Sequence, residues 1–144
     1  MNPIIKFKSL HNKGKKPTNE FNNAIYSISS GERCCISPGE RRLIKTFIEI
    51  EIPEGYLGII LPRKENYIRN GLHVFQDIIL PKEKKELLIM VTNGNIPKSP
   101  YMMSDNERFL GERTRIDVYV GDKIANMILS PINIYLFDGG ETNV

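Results

Sequence analysis

The chain has 144 residues, the length of a single small domain, which gains stability by oligomerising. Its 20 Lys and Arg against 17 Asp and Glu leave a formal charge of +3, and the basic residues interleave with acids, which argues against a nucleic-acid surface. No apolar run reaches the ~18 residues of a membrane helix and no apolar signal core opens the chain, so no membrane contact and an intracellular, cytoplasmic setting are expected.

In chain order, Lys13-Gly-Lys-Lys16 reads as a solvated basic loop rather than a binding patch. Cys34 and Cys35 are neighbours, and neighbours in a strand point to opposite faces, so they do not bridge. Two free thiols suit a reducing compartment. Ser37-Pro-Gly marks a turn. Ile48, Ile50 and Ile52 then alternate with Glu49 and Glu51, the period of a strand with one wet face. Pro53-Glu-Gly makes the next turn, and Tyr56 to Leu61 the next strand. Lys82-Glu-Lys-Lys-Glu86 reads as the solvated tip of a hairpin, more simply than as a protein-contact surface. Leu87 to Val91, Val118 to Val120 and Ile132 to Phe137 read as further strands, punctuated by Asn93-Gly-Asn and Gly121-Asp.

No long helical pattern occurs. Many short strands at this spacing predict an all-β fold, a barrel or jelly roll over residues 1–137. Residues 94–115 form a long polar interruption, and loops of that length are usually functional or mobile. Residues 138–144 form a polar, Gly-rich tail expected to be flexible. His11 and His73 stand alone, so no metal site is expected, and no Ser–His, Cys–His or phosphate-loop arrangement appears.

Four stretches carry a family signature. Ser37-Pro-Gly-Glu-Arg-Arg-Leu-Ile-Lys-Thr46 is followed by Ile52-Pro-Glu-Gly-Tyr-Leu-Gly58, then by Pro62-Arg63 and Gly121-Asp-Lys-Ile-Ala-Asn126. Their order and spacing resemble the homotrimeric dUTPases, and the first stretch is especially similar to poxviral ones. The resemblance covers about residues 20–137. It implies a trimeric β-barrel or jelly roll that cleaves dUTP to dUMP and diphosphate. In that family an aspartate activates water, Mg²⁺ sits on the phosphates, a hairpin reads uracil, an aromatic ring underlies the sugar, and a C-terminal arm closes the site.

Matched position by position, much of that machinery is replaced. The family's Ala-Gly-Tyr-Asp-Leu resembles Ala24-Ile25-Tyr26-Ser27-Ile28, with Tyr26 kept and Ser27 where an acid supports the metal. A neutral hydroxyl offers Mg²⁺ far less than a carboxylate. Pro-Arg-Ser-Gly-Leu-Ala resembles Pro62-Arg63-Lys64-Glu65-Asn66-Tyr67; Arg63 is kept and Lys64 replaces the phosphate-binding serine, able to attract an anion only as a point charge. In the third motif Gln76 and Asp77 stand at the hairpin glycines, Leu80 at the catalytic aspartate and Glu83 at the sugar-stacking tyrosine. Leucine accepts no proton, and losing a general base forfeits roughly 10²–10⁴-fold in rate. Asp77 as a displaced base does not meet the geometry of that role. The fourth motif is conservative, with Asn126 for glutamine. The arm is absent.

The chain ends Glu141-Thr142-Asn143-Val144, the class I PDZ-ligand pattern, in which Thr142 supplies a hydroxyl, Val144 fills a pocket and backbone amides capture the carboxylate. Degraded motifs with such a tail are similar in plan to an adenovirus early-region dUTPase-like protein. The expectation is therefore a viral, catalytically inactive homotrimer that binds proteins, with host PDZ domains as possible partners and no cofactor. The alternatives are an active or weakly active dUTP diphosphatase, which would need Mg²⁺, and a trimeric decoration protein of a virus particle.

Overall fold

The computed structural model describes residues 3–20, 24–96, 114–133 and 138–139. The strands are β1 (Lys6–Ser9), β2 (Thr18–Glu20), β3 (Ile25–Ser29), β4 (Cys34–Ile36), β5 (Arg41–Glu51), β6 (Tyr56–Pro62), β7 (Leu72–Val74), β8 (Asp77–Ile79), β9 (Glu86–Asn93), β10 (Ile116–Val118) and β11 (Lys123–Pro131), with one helix, α1 (Lys64–Asn70). Two antiparallel sheets, ordered β1-β5-β9-β7 and β2-β3-β11-β6-β8, are joined by the pair β10-β4. This is the expected all-β jelly roll.

The sequence dictates the core through strand alternation. Along β5, Ile44, Thr46, Ile48 and Ile50 are buried while Lys45, Glu49 and Glu51 are not. β9 buries Leu87, Ile89, Val91 and Asn93 on one face. One apolar cluster gathers Ile44, Ile48, Ile50, Leu87, Ile89 and Val91 with Ile28, Ile36, Ile60, Ile116, Ile124 and Met127, so all three sheets share a single core. Cys34 is buried and Cys35 exposed, both free, as strand geometry requires.

Three expectations need correction. The run Val118 to Val120 is a strand only to Val118; residues 119–121 turn instead, with Gly121 at φ 90. Ile132 lies beyond β11, which ends at Pro131, and residues 134–137 lie outside the described residues. Lys82–Glu86 does not cap a hairpin. β8 pairs with β6 and β9 with β5 and β7, so this segment carries the chain from one sheet to the other. Lys82 turns there at φ 60, and its N–H donates to Ile52 O at 3.0 Å.

Helix α1 was not visible as a periodic pattern because it has only seven residues. Glu65 in its first turn and Arg69 in its last match the backbone dipole. Gly71 stops it at φ 83, a conformation glycine adopts without steric cost, and donates its N–H to Tyr67 O at 2.9 Å.

The inward Asn93 closes the wall where the chain leaves and re-enters around residues 97–113, which lie outside the described residues. Its Nδ2 donates to Ile36 O (3.0 Å) and Thr114 O (2.6 Å), and its Oδ1 accepts from Asn95 N (2.9 Å). Asn95 Nδ2 in turn donates to Asn70 O (2.7 Å) and Thr114 O (3.0 Å). A buried amide side chain is stable only when so satisfied. Asn93→Ala strands these partners and is expected to cost about 2–4 kcal/mol. The check is the urea midpoint at unchanged m-value, and a shift equivalent to less than ~1 kcal/mol contradicts it.

Candidate functional site

β11 is the middle strand of its sheet, and its pairing sets the site. Asn126 stands opposite Ser27 on β3 and Leu61 on β6. β6 ends at Pro62, so Arg63 follows directly beside Asn126 and Nη1 of Arg63 donates to Asn126 Oδ1 at 2.8 Å. The same nitrogen reaches Glu20 Oε2 at 3.4 Å, while Lys123 Nζ donates to Glu20 Oε1 at 2.6 Å. Glu20 ends β2, the strand next to β3. Four residues from three strands or strand ends thus form one charged knot, in which a carboxylate bridges two cations.

Ser27 is buried next to this knot, and its hydroxyl donates to Thr18 O at 3.4 Å. A buried, neutral, already engaged hydroxyl does not fit the support of Mg²⁺. Among the described residues no three His, Cys, Asp or Glu side chains come together. Lys64 is exposed on the first turn of α1. Tyr26 is turned away from Ser27 by strand alternation and packs on the core, lining a separate cavity with Met127 and Ile50.

The third-motif residues occupy a different place. Asp77 and Glu83 line a cavity of ≈ 290 Å³ with Leu43, Ile79, Leu87 and Leu88. Arg63 and Lys123 line another, of ≈ 350 Å³, and the two cavities share no residue. Gln76 is exposed, and Asp77 Oδ1 accepts from the N–H of Ile78 at 2.8 Å. Leu80 is 56% exposed. Its backbone N–H donates to Glu83 Oε2 at 3.1 Å, and Glu83 also pairs with Lys85. The Lys85 hydrogen bond, then the one from Leu80, hold the Glu83 carboxyl below the usual carboxylate range. Glu83 is thus spent on closing its own turn. Thr142 and Val144 lie outside the described residues.

Glu20 is the site residue that the sequence did not reveal. It lies 43 and 103 positions from its partners Arg63 and Lys123, and no local pattern marks such a contact. The hydrogen bond from Lys123 lowers its carboxyl below the ordinary 4.5, partial burial opposes this, and the charges of Arg63 and Lys123 add to the lowering. A depressed folded value means that the stabilisation is complete above pH 4.5 and is lost as pH falls below it. The melting temperature of the wild type should therefore fall more steeply below pH 4.5 than that of Glu20→Gln. Parallel curves count against the contact.

Comparison with known proteins agrees with this frame. A family model for dUTPase matches residues 15–99, more than half of the chain. The deoxyuridine 5'-triphosphate nucleotidohydrolase of Leifsonia xyli is 26% identical over 112 residues, 76% of this chain and 63% of that one. That of Encephalitozoon cuniculi is 28% identical over 91 residues, 62% and 63% of the two chains. The match thus spans less than two thirds of either relative. That of cowpox virus is 27% identical over 134 residues, 92% and 78%. Among solved structures, a mutant dUTPase from phage phi11 of S. aureus, described for its structural Mg(II) ion, superimposes with a TM-score of 0.79 at 22% identity, covering 96% and 97%. The dUTPase of Staphylococcus bacteriophage 80alpha gives 0.79 at 23%, covering 96% of each chain. At such identities the structural likeness is one of fold, and it is the sequence match that assigns the family: the chain belongs to the dUTPases.

Proposed function

We infer that this dUTPase-family chain no longer hydrolyses dUTP and acts by binding other proteins. One feature supports this: the family resemblance puts Leu80, a side chain without a proton acceptor on a turn closed by Glu83, where the water-activating aspartate would stand. The engaged Ser27 and the acidic Glu83 point the same way. Against it stand the names of the relatives, all nucleotidohydrolases, which favour a dUTP diphosphatase. A decoration protein of a virus particle remains the third reading, distinguished by its presence in purified particles.

A homotrimer belongs to the same proposal. Of the resembled positions, Arg63 lines one cavity, Asp77 and Glu83 another and Tyr26 a third, as expected if a complete site needed more than one chain. Exposed Leu43, Ile78, Leu80 and Leu88 beside the first cavity supply apolar surface for such contact. A viral origin fits the 92% coverage by the cowpox relative, and the two free cysteines fit a cytoplasmic setting.

Purified protein with Mg²⁺ should release diphosphate from dUTP at well below ~1 s⁻¹, the lower end of ordinary turnover. Leu80→Asp alone should not restore activity, because Glu83 stays in place. Light scattering on the same sample should give three subunits. Turnover of about 1 s⁻¹ or a monomeric mass refutes the corresponding part.

For the tail, the pattern at Thr142 and Val144 is the sole support. A PDZ array should retain the wild-type peptide at about micromolar affinity and lose it when one residue is added after Val144. If no domain separates the two peptides, the pattern is coincidence.

A further inference from the structure

We propose that Glu20 is an internal anion that occupies the Arg63–Lys123 cation pair and keeps phosphate groups out of it. The contact is shaped like phosphate recognition: each carboxylate oxygen takes a different cation, Oε1 from Lys123 at 2.6 Å and Oε2 from Arg63 at 3.4 Å. A carboxylate has only two oxygens, and Arg63 Nε is left buried without a hydrogen-bond partner. A phosphate brings a third oxygen to such a donor.

Space is available beside the pair. Arg63 and Lys123 line the cavity of ≈ 350 Å³ together with Arg69, so three cations face two carboxylates, Asp117 and Asp122. The Asp122 carboxylate already accepts from the N–H of Tyr119 at 2.8 Å. With Glu20 in place the positive excess is cancelled; without it the pocket is cationic.

The plug is also carried on a detachable element. Among the described residues, β2 is three residues long, forms the edge of its sheet, and pairs only with β3. Glu20 is its last residue and belongs to no part of the apolar core. Its withdrawal therefore disturbs little else.

Calorimetric titration of inorganic diphosphate at low ionic strength, where surface charge is least screened, tests this. Glu20→Gln keeps the shape and removes the charge, and should bind at least about tenfold more tightly than wild type. Glu20→Ala should do the same, and adding Arg63→Ala to either should abolish the gain. A parallel titration with a non-hydrolysable dUTP analogue separates sources: an equal gain assigns the effect to the phosphates, whereas a gain for the analogue alone overturns the proposal. So does equal diphosphate affinity in wild type and variants, or a gain that survives Arg63→Ala. The proposal rests on this geometry and not on the loss of hydrolysis. A chain that turns over dUTP yet gains nothing from Glu20→Gln defeats the plug alone.

Discussion

The pairing of β11 is the constraint on which the site depends. This strand lies between β3 and β6 and buries Ile124, Ala125 and Met127. A slip of one residue would turn Ala125 and Met127 to the other face, so apolar burial fixes the register there. Asn126, lying between buried neighbours, inherits that precision. Because β6 ends opposite Ala125, Arg63 is delivered beside Asn126 by the same register. The polar contact did not have to be strong to be well placed.

The third-motif segment shows how little of the apolar core rests on these positions. Ile79 is buried against the core, but Asp77, Ile78 and Leu80 around it are exposed. The turn after it is held by backbone groups, by Glu83 and by Lys85. A leucine at its start leaves the apolar cluster untouched. Substitutions at these positions change what the protein can do with little effect on whether it folds. In the Glu83–Lys85 pair the lysine is exposed and the glutamate half-buried, and ion pairs at the surface contribute little to stability.

Much of the fold was legible because strands with one wet face write their period into the chain. The alternation of Ile48, Ile50 and Ile52 with glutamates matched burial residue by residue. β11 was less legible: a register irregularity between Lys123 and Ala125 leaves the neighbours Ile124 and Ala125 both buried, and the apolar Ile128 stands at a position that is not buried. Residues 82–86 misled because proximity in sequence suggested a hairpin, whereas the flanking strands find partners in different sheets. Of the site, the replacement at Leu80 could be read from the family resemblance. The Arg63–Asn126 contact and the role of Glu20 could not, since they join residues far apart in the chain. That Tyr26 faces the core and Ser27 the knot follows from alternation, once β3 is placed.

The lengths of the outer strands have a consequence for colloidal behaviour. Among the described residues, the edges of the two main sheets are β1, β7, β2 and β8, of four, three, three and three residues, while the central strands β3, β5, β6, β9 and β11 run from five to eleven. An unpaired edge is a template on which a foreign strand can dock, and short edges offer it few hydrogen bonds. The rim strands thus act as gatekeepers against cross-β recruitment, a property that costs the interior nothing. A longer β2 would hold Glu20 more firmly and give up part of that protection.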